Sequence, residues 1–169
     1  LARQLTGLTV IATASRPETR AWAEALGAHH VVDHSRPLAG EVAALGLGAP
    51  AFVFSTTNTQ SHIAEIEALI APQGRFGLID GLAGFDVQPL LRKSVSIHGE
   101  WMYTRPVFKT ADMAAQGVLL DEVARLVDAG TLRTTLGETY GAINAENLRR
   151  AHALIESGRA RGKIVLGGF

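Results

Sequence analysis

The chain has 169 residues, 16 Lys+Arg against 16 Asp+Glu, 47% hydrophobic residues and no cysteine. That much apolar material can bury one sizeable core, so the chain reads as globular, not disordered or fibrous, and the balanced charge without a basic block argues against nucleic acid or an anionic membrane as the main partner. The missing cysteines exclude a disulfide framework and thiolate metal sites and fit a reducing cytosol; no apolar run approaches the ~20 residues that span a bilayer, and no charged n-region precedes a secretory h-region. The expectation is a soluble, cytoplasmic protein that binds a small molecule.

The opening LARQLTG reads as the last turns of a helix, with Leu1 and Leu5 four apart and Gly7 in the C′ position. Leu8 to Ala14 is the first strand, followed by a helix on which Ser15 and Glu18 form a capping box, Pro17 sits in the first turn, and Trp22 and Leu26 share a face before Gly27. His30 to Asp33, Ala51 to Ser55 and Arg75 to Asp80 are the next strands, with a helix over Gln60 to Ile70 that Pro72 and Gly74 stop. Ser94 to Met102 is a further strand, Asp112 to Ala129 a longer helix, and Ala145 to Ser157 a last helix after Asn144 as N-cap. The strand candidates are apolar on both faces, as parallel strands covered by helices on each side should be. The fold class is therefore α/β, a doubly wound parallel Rossmann-type sheet.

Ligands of such sheets sit beyond the carboxyl ends of the strands, which singles out Ser15-Arg16, Ser55-Thr56-Thr57, Asp80-Gly81 and the segment around Trp101-Met102-Tyr103. An acid after the second strand of a dinucleotide fold accepts from the adenosine 2′-hydroxyl, whereas an Arg there pairs with a 2′-phosphate. Ser15 offers a hydroxyl and Arg16 a guanidinium fork at the start of a helix, which favours NADP(H) over NAD(H). The competing reading has Ser15 only capping the helix and Arg16 as a solvated charge. A G-x-G-x-x-G turn is absent, since Gly77, Gly81 and Gly84 have neither its spacing nor the helix that should follow it. In the strand order 3-2-1-4-5-6 the first strand is central, so the expectation is a piece of a longer chain whose first strand and glycine turn lie upstream of Leu1.

The runs ALGAHHVVDHSRPL, DEVARLVDAGTLRTTL and NLRRAHALIESGRARGKIVLGGF resemble the C-terminal half of the medium-chain dehydrogenase/reductases, in the zinc-type alcohol dehydrogenase-like branch close to the NADPH:quinone oxidoreductases. The resemblance implies a nucleotide-binding domain over residues 1–132 and a returning segment over 133–169 that packs on a GroES-like catalytic domain outside this chain. It implies that Ser15 and Arg16 hold the 2′-phosphate and that Ser55, Thr56 and Thr57 pass the adenosine and the ribose nearer the nicotinamide. Backbone groups of Ile79, Asp80 and Gly81 would approach the nicotinamide side, Trp101 and Met102 would wall the pocket with Tyr103, and Lys163 would reach the cofactor. It also suggests a homodimer through the sheet edge near Ser94 to Trp101.

His30 and His34 are four apart across a strand end, HExxH is absent and no Cys joins the six histidines, so no metal site is expected in this chain; zinc dependence of a longer parent stays open. No G-x-S-x-G supports nucleophilic catalysis, and no catalytic acid is assigned. The expected reaction is hydride transfer from NADPH to a quinone, enone or carbonyl substrate. Two readings stand beside it: a binding module without catalysis, and a zinc-dependent alcohol dehydrogenase if residues outside the chain carry the ligands. A methyltransferase on the same fold is disfavoured, because Ser15-Arg16 replaces the acid that would hold the ribose of S-adenosylmethionine.

Overall fold

The computed structural model describes residues 1–168. In chain order the elements are α1 (Ala2–Leu5), β1 (Ile11–Thr13), α2 (Pro17–Ala25), β2 (His30–Val32), α3 (Leu38–Ala43), β3 (Phe52–Ser55), α4 (Thr59–Leu69), β4 (Arg75–Leu78), α5 (Gln88–Arg92), β5 (Ser96–Gly99), α6 (Thr104–Phe108), α7 (Ala115–Asp128), β6 (Leu136–Thr139), α8 (Ala145–Glu156) and β7 (Lys163–Val165). Every strand pairing is parallel: β1 with β2, the series β3-β4-β5, and β6 with β7. Parallel neighbours need a crossover, and α2, α4, α5 and α8 supply it between successive partners. The result is the Rossmann-type α/β arrangement the alternation implied.

Within the described residues β1 pairs only with β2, and β3 only with β4. Their unpaired edges bound a cleft of about 600 Å³, walled by Val10 and Ile11 on one side and by Phe52 and Phe54 on the other. This is the position where the order 3-2-1-4-5-6 puts its central strand.

The core lies on one face of these sheets. Val32 of β2, Leu38 and Val42 of α3, Ile66 and Leu69 of α4, Phe76 and Leu78 of β4 and Leu90 of α5 form one buried cluster. Because strand side chains alternate, Val53 and Ser55 share the covered face with their register partners Phe76 and Leu78, while Phe52 and Phe54 point the other way. Phe52 and Phe54 are 52% and 64% exposed, so the expected cover on both faces is present on one only.

Several ends differ from the sequence pattern. Arg16, not Ser15, is the N-cap of α2, and no side chain caps that helix, so the capping box does not form. The cause is Pro17 at the first helical position: its ring keeps the preceding residue out of the helical region, and Arg16 is extended at φ −105 and ψ 144. The strand expected over Ser94 to Met102 is reduced to β5, since Ser94 takes φ 53 and residues 101–103 turn into α6. Thr6 ends α1 in an extended conformation with its hydroxyl on the Ala2 carbonyl at 2.7 Å, so Gly7 is not a left-handed cap. Asn144 caps α8 as expected, accepting from the Asn147 amide at 2.8 Å. No helix among the described residues is long and apolar enough to cross a membrane.

Candidate functional site

At the carboxyl end of β1 the chain passes through buried Ala14 to exposed Ser15 and half-buried Arg16. Ser15 is free of the capping role that the competing reading gave it. The Arg16 Nε lies 3.2 Å from Glu18 Oε1, an ion pair whose side chains are 34% and 53% exposed, and among the described residues its terminal nitrogens make no hydrogen bond. A guanidinium has five N–H donors, so the outer fork stays available to an anion. The α2 amino end adds favourable potential for negative charge. Arg20, one turn on, is committed to structure: it donates to the Val31 carbonyl at 2.8 Å and the Ala14 carbonyl at 3.5 Å, clamping the ends of β1 and β2.

The carboxyl ends of β3 and β4 form a second group. Ser55 stands opposite Leu78, and the Ile79 amide donates to the Ser55 carbonyl at 3.2 Å. The Thr59 amide donates to Asp80 Oδ2 at 2.9 Å and its hydroxyl donates to Asp80 Oδ1. Ser55 Oγ lies 2.7 Å from Thr59 Oγ1. The Thr59 hydroxyl proton goes to the carboxylate, so Ser55 is the donor in that contact. These bonds, the side-chain one first, hold the Asp80 carboxyl below the usual carboxylate range. Asp80 thus caps α4 from a neighbouring strand, since its own N-cap Asn58 sits at φ 53 with no side-chain bond. Thr56, Thr57, Ile79 and Gly81 are exposed around this node, of which Thr59 is buried and Ser55 and Asp80 are half-buried.

The remaining candidates are less convergent. Glu100 N–H donates to the Leu78 carbonyl at 2.9 Å, which brings the start of the 101–103 turn beside the end of β4. Trp101 and Tyr103 meet edge to face at 5.6 Å and are exposed, as is Met102. Lys163 lies on β7, in the separate β6–β7 sheet; its backbone amide donates to the Thr135 carbonyl at 2.7 Å, and among the described residues its side chain makes no hydrogen bond. None of the candidate binding residues lines the cleft between β1 and β3. Thr59 and Arg20 were not singled out in the sequence, and Glu18 only as the capping-box partner of Ser15; a carboxylate paired to a threonine 21 residues away leaves no periodic signal.

Zinc finds no holder here: among the described residues no three His, Asp or Glu side chains are grouped so as to bind a metal ion, and the sequence contains no Cys. His34 meets His62 edge to face at 6.1 Å, and His29 Nδ1 accepts from the Val10 amide at 2.9 Å. The donor sets do not fit a zinc centre.

With this geometry in view, the relatives are informative. The zinc-binding dehydrogenase family profile matches residues 26–166. A zinc-type alcohol dehydrogenase-like protein of Staphylococcus aureus is 32% identical over 161 residues, 95% of this chain and 48% of its own length. The chain therefore spans about half the length of the curated relatives it matches. A crystal structure from Rhizobium etli CFN 42, assigned as a zinc-dependent alcohol dehydrogenase, is 67% identical with a TM-score of 0.92 over 99% of this chain and 49% of that one. An NAD-dependent alcohol dehydrogenase structure is 26% identical with a TM-score of 0.77 over 98% of this chain and 46% of that one. On the strength of the profile match and the ordered α/β geometry, the chain belongs to the zinc-binding dehydrogenase family of the medium-chain dehydrogenase/reductase superfamily.

Proposed function

We propose that the chain is the nucleotide-binding part of an NADP(H)-dependent oxidoreductase that transfers hydride to a quinone, an enone or a carbonyl group. The coenzyme supplies the hydride; the chain's own residues bind it, orient it and keep water away. Ser15 and Arg16 take the 2′-phosphate, Ser55, Thr56 and Thr57 follow the ribose, and the backbone of Ile79, Asp80 and Gly81 meets the nicotinamide side. Trp101 and Met102 wall the pocket and Lys163 approaches from the returning segment.

One observation carries this reading: at the end of β1 a hydroxyl without a capping role stands beside a guanidinium with an open outer fork. A phosphate monoester needs that donor set, and a neutral ribose does not.

Residues 1–132 form the nucleotide-binding domain in this reading, and 133–169 return toward a GroES-like catalytic domain outside the chain. Arg133 Nη1 on the Ala25 carbonyl at 2.8 Å and the Arg161 guanidinium 5.3 Å over the Trp22 ring support a returning segment anchored on α2. A strand of the parent protein fills the cleft between β1 and β3. The free edge of β5 pairs with its copy to give a homodimer in the cytoplasm. The zinc-type names of the relatives favour a second reading, alcohol and carbonyl interconversion with zinc held by residues outside this chain.

Fluorescence titration of the intact protein with NADPH and NADH tests the coenzyme assignment, with a quinone and an enone as substrates for turnover. Arg16→Ala should raise the Michaelis constant for NADPH several-fold, by less than about tenfold, and leave that for NADH nearly unchanged. A preference for NADH at equal concentration defeats the assignment.

A further inference from the structure

We infer that Glu18 is a specificity-determining residue of the coenzyme site, its carboxylate standing beside Arg16 where it tempers the preference for a 2′-phosphate and offers an acceptor to a 2′-hydroxyl. This rests on the reading of Ser15 and Arg16 as the end of the site that meets the adenosine ribose.

Sheets of this kind usually present a carboxylate to the ribose directly after the second strand of the fold. Here the residues that follow β1 are Ala14, Ser15 and Arg16, none of them acidic. The acid returns three residues after Ser15, in the first turn of α2, with Glu18 Oε1 3.2 Å from Arg16 Nε. One strand end therefore carries both chemistries: a cationic fork that suits a phosphate dianion and an anionic acceptor that suits a hydroxyl.

The shift of the N-cap from Ser15 to Arg16 makes this pairing possible. In a capping box Glu18 would fold back on the backbone amide of Ser15. With Arg16 at the cap, the carboxylate is instead turned to the guanidinium. Arg20 does not compete, because its two terminal nitrogens are on the Ala14 and Val31 carbonyls.

Two effects of Glu18 on a phosphate oppose each other. It orients Arg16, which helps; it cancels part of the positive charge and repels the dianion, which hurts. Both side chains are solvated, so an exposed pair of this kind holds the guanidinium in place only weakly. Repulsion acts on both charges of the phosphate, and the hurt prevails. A 2′-hydroxyl meets no such repulsion. The site consequently accepts the phosphorylated and unphosphorylated ribose with a narrow margin between them.

Isothermal titration of the intact protein with adenosine 2′,5′-bisphosphate and with 5′-AMP reads this margin without turnover. The unaltered protein should bind the bisphosphate more tightly by less than about tenfold. Glu18→Gln should tighten the bisphosphate about three- to tenfold and, because the Gln amide oxygen still accepts from the 2′-hydroxyl, leave 5′-AMP within about twofold, widening the ratio. Arg16→Ala should bring the ratio close to one. If Arg16→Ala collapses the ratio but Glu18→Gln leaves it unchanged, the role of Glu18 is overturned while the phosphate site stands. If Arg16→Ala leaves the ratio unchanged, the site itself is misassigned and the role of Glu18 goes with it. Matching thermal midpoints and circular dichroism of both variants exclude misfolding as the source of any change.

Discussion

Thr59 is fully buried, and among the described residues it is the only buried polar side chain. Its hydroxyl accepts from Ser55 and donates to Asp80, so a hydroxyl-to-carboxylate relay joins the ends of β3 and β4 to the first turn of α4. That relay needs an ionised Asp80, because a protonated carboxyl would present a donor where Thr59 already donates. The native pKa of Asp80 is lowered, so the unfolded chain takes up a proton first as pH falls. The stabilisation is therefore complete at neutral pH, begins to fade near the ordinary carboxylate value of about 4, and is gone once pH passes below the lowered native value. Asp80→Asn should flatten this acid limb: urea midpoints of the two proteins should converge as pH falls and stand furthest apart near pH 7, with the variant the less stable. An unchanged acid limb in the variant would remove the relay from the account. The position of Asp80 after an apolar run was legible, but its use as a cap for another element was not, because that depends on where β3 and β4 come to rest in three dimensions. Its side chain is committed to Thr59, which leaves its backbone for a ligand.

At the scale of elements, the sequence was most legible where short-range chemistry decides. The Asn144 cap survives intact because its partner amide is three residues away. The α2 cap moved by one residue because a proline ring outweighs a serine hydroxyl in setting backbone geometry. Helices α3, α5 and α6 have six, five and five residues, too few for a period of 3.6 to declare itself, and they pass unseen in the sequence. β5 ends early because Ser94 and the 101–103 turn bend the chain at both sides of it, a choice made by packing. Two glycines test how tightly the central strands are fitted. A Cβ at Gly74 would lie 2.8 Å from the Ala71 carbonyl oxygen and 2.8 Å from Ile70 Cγ1, in a turn with no room to yield. A Cβ at Gly77 would also come within 2.8 Å of an atom, but that atom is Cδ2 of the Phe54 ring, which is mostly exposed and able to swing away. Gly74→Ala should therefore cost about 1–3 kcal/mol and Gly77→Ala less than about 1 kcal/mol in chemical denaturation. Equal losses would show that the bare face of β4 is as rigid as its covered one.

The surface of the whole molecule amounts to 11432 Å², whereas a compact chain of this mass exposes about 8,000 Å². The excess of about 3,400 Å² far exceeds the ~800 Å² that one partner gives to a standard interface. It is not spread evenly: it includes Phe52 and Phe54 on the bare sheet face, Ile97 on the free β5 edge, Trp101 to Phe108, and Val118 to Leu120 on α7. Exposed apolar side chains in this number, together with the unpaired edges of β1, β3 and β5, suit association. The relatives are about twice as long as this chain, and the proposed function has other segments of a longer parent and a second copy cover this surface. The chain expressed alone should then bind the apolar dye ANS strongly and elute as assemblies in size-exclusion chromatography. Its β1 and β3 amides should also exchange faster than the β4 amides, because β4 is paired on both sides. In the intact protein the dye signal should vanish and the β1 and β3 amides should become as slow as those of β4, since a strand between them closes both edges at once. A monomer that ignores the dye would mean that the isolated chain buries these faces by another packing, and the cleft between β1 and β3 would no longer be a place prepared for a strand.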